Sequence, residues 1–192
     1  MIYDAGNAFC KSLECSPIIA AVFSSDDLQE ALLSPCEVIF LLGGNVCELQ
    51  ELVHRTHDQQ KKMYVHLDLL TGLGKDQYAV QYLKDTFTVD GIITTKSNIV
   101  KYAKDIGLFV IQRFFMLDSK AFDSALKTVK NVDADSIEIL PGIIPGIIAQ
   151  ISRQTKIPVI GGGLIRTKKE AIECLKAGGL GVSTSCKDIW HM

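Results

Sequence analysis

Two polar segments near the end of the chain have the composition of a phosphate-binding site. Three successive glycines, Gly161, Gly162 and Gly163, let the backbone approach a ligand closely and present amide N–H groups to it. Thr184 and Ser185 add hydroxyl donors one structural repeat further along the chain. The alternative is that the glycines only allow a tight turn and the hydroxyls only cap a helix. The occurrence of both segments in neighbouring repeats favours phosphate.

A second set of polar residues ends or follows other apolar runs of the sequence. His66 and Asp68 are two residues apart, so a strand would direct both side chains to one face. They could act as a base with its orienting acid, bind a metal, or hydrogen-bond the hydroxyl groups of a ligand. The charged residues expected around the same pocket are Lys96, Arg113, Glu138 and Arg166.

The charges of this second set have more than one interpretation. Lys96 and Arg113 are expected deep in the pocket, where they could contact a phosphate or a carboxylate. They could equally neutralise Asp68 and Glu138 in an internal ion-pair network that binds nothing. A lysine at the end of a strand could also form a Schiff base with a carbonyl substrate.

No metal or cofactor site is predicted. His54 and His57 have the spacing of one helical face, but no further ligands accompany them, so a solvated helix surface is favoured. Gly72 and Gly74 lack the third glycine of a dinucleotide-binding loop, and they follow the third apolar run rather than the first.

The elements that must position these residues are eight short, apolar, β-branched runs. They begin at residues 17, 38, 63, 91, 109, 136, 158 and 179. Continuous apolar runs of this length are typical of parallel strands that are covered on both faces. The segments between them have helical periodicity, and recognisable start or stop residues include Ser24 or Ser25, Gly107 and the Thr167–Glu170 capping box.

Eight strands alternating with helices predict a compact TIM-like (β/α)8 barrel, with a doubly wound open sheet as the alternative. In a barrel, residues at the carboxyl ends of the strands share one mouth, so all the residues named above would converge there. The loops after strands seven and eight, with a short extra helix, form the usual phosphate site of this fold. Residues 187–190 have the length of such a helix.

Composition narrows the class of protein. The chain has 192 residues, a formal net charge of -2 and 47% apolar residues, which favours one folded domain over residues 1–192 and excludes general disorder. No apolar run approaches the roughly 20 residues of a membrane span, and no secretory signal is found, so we expect a cytoplasmic protein with no membrane partner. A charge this close to zero gives no bulk attraction to nucleic acid, which would have to bind at a local patch.

Six further segments form a linked set of motifs. They are HLDLLTG (66–72), GIITTKSN (91–98), IQRFFMLD (111–118), IEILPGIIP (137–145), GGGLIRT (161–167) and VSTS (182–185), the last followed by Trp190. As a set they closely resemble the glycerol-3-phosphate-responsive antiterminator family. The resemblance covers the chain from the first apolar run to the end, and residues 1–16 form an N-terminal extension outside it.

This resemblance implies a bacterial cytosolic regulator that senses glycerol 3-phosphate and acts on leader mRNA, preventing transcription termination upstream of glycerol-metabolism genes. It implies no catalytic residue and no cofactor, and it leaves a homo-oligomer open. It places the ligand phosphate against Gly162, Gly163, Thr184 and Ser185, and the glycerol part among His66, Asp68, Lys96, Arg113 and Glu138. Lys96 stands where the family usually has arginine, and Cys186 where it usually has asparagine.

Two other functions are compatible with the same residues. One is an aldolase or isomerase that acts on a small phosphorylated metabolite, with Lys96, Asp68 or Glu138 as the reactive group. The other is a sensor of the same metabolite that acts through a protein partner rather than through RNA.

Overall fold

The strands close into a complete parallel barrel. A computed structural model describes residues 8–131 and 133–192. The strands pair in sequence order, and the first also pairs with the eighth, so no open edge remains. Their bounds are β1 Ile18–Val22, β2 Val38–Leu41, β3 Lys62–His66, β4 Gly91–Thr94, β5 Val110–Phe115, β6 Ser136–Leu140, β7 Val159–Gly162 and β8 Gly181–Thr184. The predicted TIM-like barrel is confirmed, and the open sheet is wrong.

Helices follow each strand, and one helix precedes β1. The bounds are α1 Ala8–Cys15, α2 Ser25–Leu33, α3 Val46–Asp58, α4 Gln77–Tyr82, α5 Ser97–Asp105, α6 Ser119–Thr128, α7 Pro145–Gln154, α8 Lys168–Lys176 and α9 Lys187–Trp190. A π-helical turn over Leu83–Phe87 extends α4. None of the described helices has the length and apolar character needed to cross a bilayer. Residues 1–7 of the expected N-terminal extension lie outside the described residues.

The helix boundaries predicted from capping residues are confirmed. The Ser24 side chain accepts a hydrogen bond from the Asp27 N–H at the start of α2. Thr167 and Glu170 form a reciprocal capping box at the start of α8. Gly107 has a φ of +71°, a left-handed conformation that lets the chain leave α5 without a Cβ clash.

Two apolar layers hold the barrel together. The outer layer lies between the strands and the surrounding helices. The inner layer fills the barrel with Ile19, Val38, Phe40, Tyr64, Ile93, Ile111 and Ile160. Helix α1 closes the amino-terminal end of the barrel, where the Phe9 ring lies 5.0 Å from the Tyr64 ring and 4.9 Å from the Phe109 ring.

The alternation of side chains along each strand determines what lies above this inner layer. The next interior positions toward the carboxyl ends lie two residues after Ile19, Tyr64, Ile111 and Ile160, or in register with such a residue on the neighbouring strand. They include polar side chains on β3, β5 and β6, and small residues on β1, β7 and β8. These interior residues are His66, Arg113, Glu138, Ala21, Gly162 and Ser183. Small residues on three neighbouring strands leave space at the carboxyl end of the barrel, and the polar ones give that space its chemistry.

Candidate functional site

A cavity of about 490 Å³ opens at the carboxyl ends of the strands. Its polar wall consists of residues from the loops after β7 and β8, and its floor includes Arg113 and Glu138. Apolar side chains, among them Phe23, Leu69 and Leu140, complete the lining. The convergence expected from the barrel is therefore present for part of the predicted set.

The floor is built around a buried ion pair between neighbouring strands. Arg113 of β5 lies in register with Glu138 of β6, and its Nε donates to Glu138 Oε2 at 2.6 Å. The side chains are only 5% and 1% exposed, so water screens them little. Arg113 Nη2 is buried without a hydrogen-bond partner among the described residues. One nitrogen of the guanidinium fork is therefore left without a hydrogen-bond partner in the floor.

Gly162 makes the ion pair sterically possible. A Cβ added at Gly162 would lie 2.4 Å from Glu138 Oε1, so any side chain there would displace the carboxylate. Gly161 faces the other way, because its added Cβ would meet the Cys174 sulfur of α8 at 2.2 Å. Gly161 thus serves the packing of β7 against α8, and it does not line the cavity.

The loop after β7 holds an unusual backbone conformation at the cavity wall. Gly163 and Leu164 have successive positive φ angles of +73° and +62°. A leucine seldom adopts this region, because its Cβ crowds the backbone. The N–H groups of Gly163, Leu164 and Ser185 donate to no acceptor within the described part of the chain. Unpaired amide donors from two neighbouring loops therefore line the same cavity.

Thr184 connects these two loops rather than offering its hydroxyl to a ligand. Its Oγ1 donates to the Ile165 carbonyl at 2.7 Å and accepts from the Cys186 N–H at 3.0 Å. The predicted short helix α9 is held against β8 in a similar way, because Trp190 Nε1 donates to the Thr184 carbonyl at 2.7 Å. The hydroxyls that line the cavity without such a bond are those of Ser183, which is buried, and Ser185, which is exposed.

His66 is buried beneath the mouth and uncharged. It is 2% exposed, and its Nδ1 has no partner among the described residues. Burial, aided by the nearby positive charge of Arg113, lowers the pKa of His66 to about 4, although Asp68 acts in the opposite direction. The imidazole therefore contributes a neutral hydrogen-bonding group to the site.

Asp68 does not form the expected pair with His66. Strand β3 ends at His66, so its alternation does not extend to residue 68. The Asp68 carboxylate instead accepts hydrogen bonds from the Thr95 N–H at 2.8 Å and from the Thr94 and Thr95 hydroxyls. Partial burial acts to raise the pKa of Asp68, but the hydrogen bonds from Thr95 outweigh it and the pKa is lowered. Asp68 joins the loops after β3 and β4.

Lys96 lies outside the cavity, and its expected place deep in the mouth is wrong. Strand β4 ends at Thr94 and α5 begins at Ser97, so Lys96 caps the helix at the surface. Its Nζ donates to the Lys75 carbonyl at 3.2 Å. Arg166, by contrast, is exposed but does line the cavity, beside the β7 loop. Arg113 lies within β5, not after it, because the ladder with β6 continues to Phe115.

Several lining residues were missed by sequence reasoning. Phe23, Leu42 and Leu69 form apolar wall, and their residue types carry no chemical signal. Leu164 was not recognised because its positive φ cannot be read from a leucine. Cys186, at which the chain departs from the asparagine usual in the resembled family, lies at the mouth with its sulfur 3.6 Å from the Arg166 carbonyl.

Comparison with known proteins gives the family of this chain. Residues 18–190 match the model of the glycerol-3-phosphate responsive antiterminator family. The chain belongs to this family. It is 35% identical over 180 residues to the uncharacterized protein YgcP of Escherichia coli strain K12, with 94% of each chain covered.

Two solved structures of antiterminator proteins share the fold closely. The glycerol uptake operon antiterminator regulatory protein of Listeria monocytogenes is 33% identical, with a TM-score of 0.88 and 98% of each chain covered. A glycerol uptake operon antiterminator-related protein of Thermotoga maritima is also 33% identical, with a TM-score of 0.81 over 91% of this chain and 98% of that one. The family resemblance expected from the motifs is confirmed.

The buried, neutral His66 predicts a dependence of stability on pH. Its pKa is about 4 in the folded state and 6.5 in the unfolded state, so between these values the unfolded chain binds the proton and the folded one does not. Stability should fall by roughly 3 kcal/mol as pH drops from about 6.5 to about 4. Urea unfolding of the wild type, His66→Gln and the exposed control His54→Gln measures this. An identical pH slope in wild type and His66→Gln would contradict it.

The space above Gly162 predicts a second, steric effect. Gly162→Ala should destabilise the fold by about 1–3 kcal/mol and disturb the Arg113–Glu138 pair, because the methyl group takes the place of the carboxylate. Gly146→Ala is the matched control, since a Cβ there meets nothing within 4 Å. Urea midpoints of the two variants give the comparison. Equal stability of the two would show that Glu138 moves at little cost.

Proposed function

We propose that the cavity at the barrel mouth binds glycerol 3-phosphate, and that the bound protein acts on leader RNA as a transcription antiterminator. The observation that carries this proposal is the division of the cavity into a donor-rich wall and an electroneutral floor. The unpaired amides of Gly163, Leu164 and Ser185 form the wall, and the Arg113–Glu138 pair forms the floor. Each part suits one end of the ligand.

The phosphate fits the wall. Backbone N–H groups bind phosphate oxygens without bringing a counter-charge that must itself be desolvated. The Ser185 hydroxyl adds a donor, and the exposed Arg166 adds a positive charge at the rim of the same cavity. The floor is the poorer place for a dianion, because the Glu138 carboxylate would repel it.

The glycerol hydroxyls fit the floor. A hydroxyl both donates and accepts, so one can donate to Glu138 while accepting from the unpartnered Arg113 Nη2. The same contact would satisfy a buried donor that is costly to leave unpaired. His66 lies next to Arg113 and is neutral, so it adds no charge that would attract the phosphate inward.

The arrangement supports a sensor more than an enzyme. Among the described residues, no lysine lines the cavity, and Lys96, the residue considered for a Schiff base, is at the surface. The Asp68 carboxylate is occupied by the Thr94 and Thr95 hydrogen bonds. A regulator that acts on nascent RNA works where a bacterium transcribes, which is the cytoplasm.

Regulation requires that the ligand prefers one conformation of the mouth. The loop after β7 is suited to this role, because Leu164 occupies a strained backbone region beside the proposed phosphate contacts. Phosphate bound to the Gly163 and Leu164 amides would hold that conformation. The population that binds RNA would then grow with ligand concentration.

Calorimetric titration tests the ligand assignment. Glycerol 3-phosphate should bind, whereas glycerol and inorganic phosphate should each bind much more weakly because each engages only one part of the cavity. Arg166→Ala and Ser185→Ala should weaken binding about three- to tenfold, as expected for the loss of one charged or hydrogen-bonding contact. The control is Arg153→Ala, since Arg153 lies on α7 away from the cavity. Binding of glycerol equal to that of glycerol 3-phosphate would contradict the assignment.

RNA binding is tested with RNAs enriched from a randomised pool on the wild-type protein in the presence of glycerol 3-phosphate. Their affinity should rise when the ligand is added and fall steeply as salt increases, because phosphate contacts release counterions. Fluorescence anisotropy gives both dependences. Failure to enrich any RNA, or equal affinity with and without the ligand, would contradict this part of the proposal.

A further inference from the structure

The two halves of the barrel mouth carry opposite charge. Each half is counted over the segments that run from a strand end to the third residue of the next helix. The segments after β4, β5, β6 and β7 carry five positive and two negative side chains, whereas those after β1, β2, β3 and β8 carry two positive and six negative ones. A chain with a net charge of -2 thus concentrates positive charge on one half of one face. We call residues 95–99, 116–121, 141–147 and 163–170, together with Phe115 at the end of β5, the β4–β7 face.

Three of the positive side chains of this face lie at helix amino termini, where they lower the stability of the helix. Lys120 lies in the first turn of α6, and Lys168 and Lys169 begin α8. A helix amino terminus carries partial positive charge, so cations there are unfavourable. The two carboxylates of the face, Asp118 and Glu170, accept hydrogen bonds from the backbone at these same helix starts. The lysines and Arg166 are left to face solvent.

Exposed apolar side chains lie between these cations. Phe115 is 46% exposed, Leu117 83% and Leu164 61%, and Ile143 and Ile144 are also exposed. Together they are five of the eleven large apolar side chains that are exposed in the described residues. Such a group, in the midst of positive charge, marks an interaction site rather than ordinary surface.

We propose that single-stranded RNA docks on the β4–β7 face, with its phosphates on Lys96, Lys120, Lys168 and Lys169 and an unpaired base stacked on Phe115. Cations with an aromatic side chain among them are what single-stranded nucleic acid requires of a binding surface. The negative half of the mouth would repel the strand, so it would confine the RNA to this half. This inference rests on the proposed antiterminator function and adds to it the location of the RNA.

The location would couple RNA directly to the ligand. Leu164 and Arg166 belong both to the β4–β7 face and to the cavity lining. RNA lying on the face would therefore lie beside the bound ligand. A ligand that holds the Leu164 backbone in the conformation that binds RNA would raise RNA affinity, and RNA would then raise ligand affinity by the same factor.

Charge reversal at matched positions tests the inference with the enriched RNAs. The triple variant Lys120→Glu, Lys168→Glu, Lys169→Glu should lose at least about tenfold in RNA affinity, because three phosphate contacts become repulsive. The control is Lys127→Glu, Lys130→Glu, Lys156→Glu, which changes the net charge equally at exposed positions toward the opposite end of the barrel. It should stay within about twofold of wild type once salt screens bulk charge. Both variants should keep the wild-type thermal shift with glycerol 3-phosphate.

Substitution of Phe115 tests the base contact separately. Phe115→Ala should weaken RNA binding about tenfold, whereas Phe115→Tyr should keep the wild-type affinity, because stacking needs only an aromatic ring.

The proposed location of the RNA is overturned if the face variants bind RNA like the wild type, or if the control triple variant loses as much RNA affinity as the face triple variant. It is also overturned if sedimentation equilibrium shows that the face variants abolish self-association while RNA affinity is unchanged, since a second copy then covers the face. In all three cases RNA binding itself persists and the proposed function stands, whereas a wild type that enriches no RNA contradicts the function.

Discussion

The buried ion pair between Arg113 and Glu138 is the interaction on which the mouth of the barrel depends. Removing two charges from water is costly, and an apolar pair of similar volume would usually give equal or greater stability. The pair is held by its register between β5 and β6 and by the missing side chain of Gly162. The ion pair forms the floor of the cavity, but Arg113 Nη2 has no hydrogen-bond partner among the described residues, so one donor of the pair remains unused. Incompleteness of this kind suits a ligand site better than a purely structural bridge.

Electrostatics then separate the proposed ligand site into regions that would contact different parts of the ligand. The interior is neutral overall, since Glu138 offsets Arg113 and the positive charge of Arg113 helps to keep His66 unprotonated. An anionic ligand therefore cannot be held by the interior charge. Its attraction must come from the amides of the β7 and β8 loops and from Arg166 at the rim. In the proposed function, a cavity whose interior arginine is neutralised by Glu138 would therefore bind the phosphate through these amides and Arg166.

Sequence reasoning predicted most of the fold because its determinants are local. Apolar runs, the Thr167–Glu170 capping box and the Gly107 helix end each act within a few residues, and all are found in the structure. The positions of the site residues were harder to predict, because the direction of a side chain depends on the residue at which its strand ends. Because β4 ends at Thr94, Lys96 lies at the surface. Because β3 ends at His66, the Asp68 carboxylate accepts hydrogen bonds from Thr94 and Thr95 rather than from His66. The apolar wall and the left-handed Leu164 have no signature in residue type.

The loop after β7 gives a physical route from ligand to surface. Its later residues are fixed, since Thr184 binds the Ile165 carbonyl and Glu170 accepts from the Arg166 and Thr167 N–H groups. Leu164 has no such anchor, the Gly163 carbonyl accepts only a 3.3 Å hydrogen bond from the Gly142 N–H, and the two residues hold a conformation that a leucine adopts only at a cost in free energy. A phosphate bound to their amides would compensate that cost. Because the Leu164 side chain is exposed on the β4–β7 face, fixing its backbone fixes part of that surface as well. In the proposed function, a change confined to these two residues would link the cavity to the RNA without a rearrangement of the barrel.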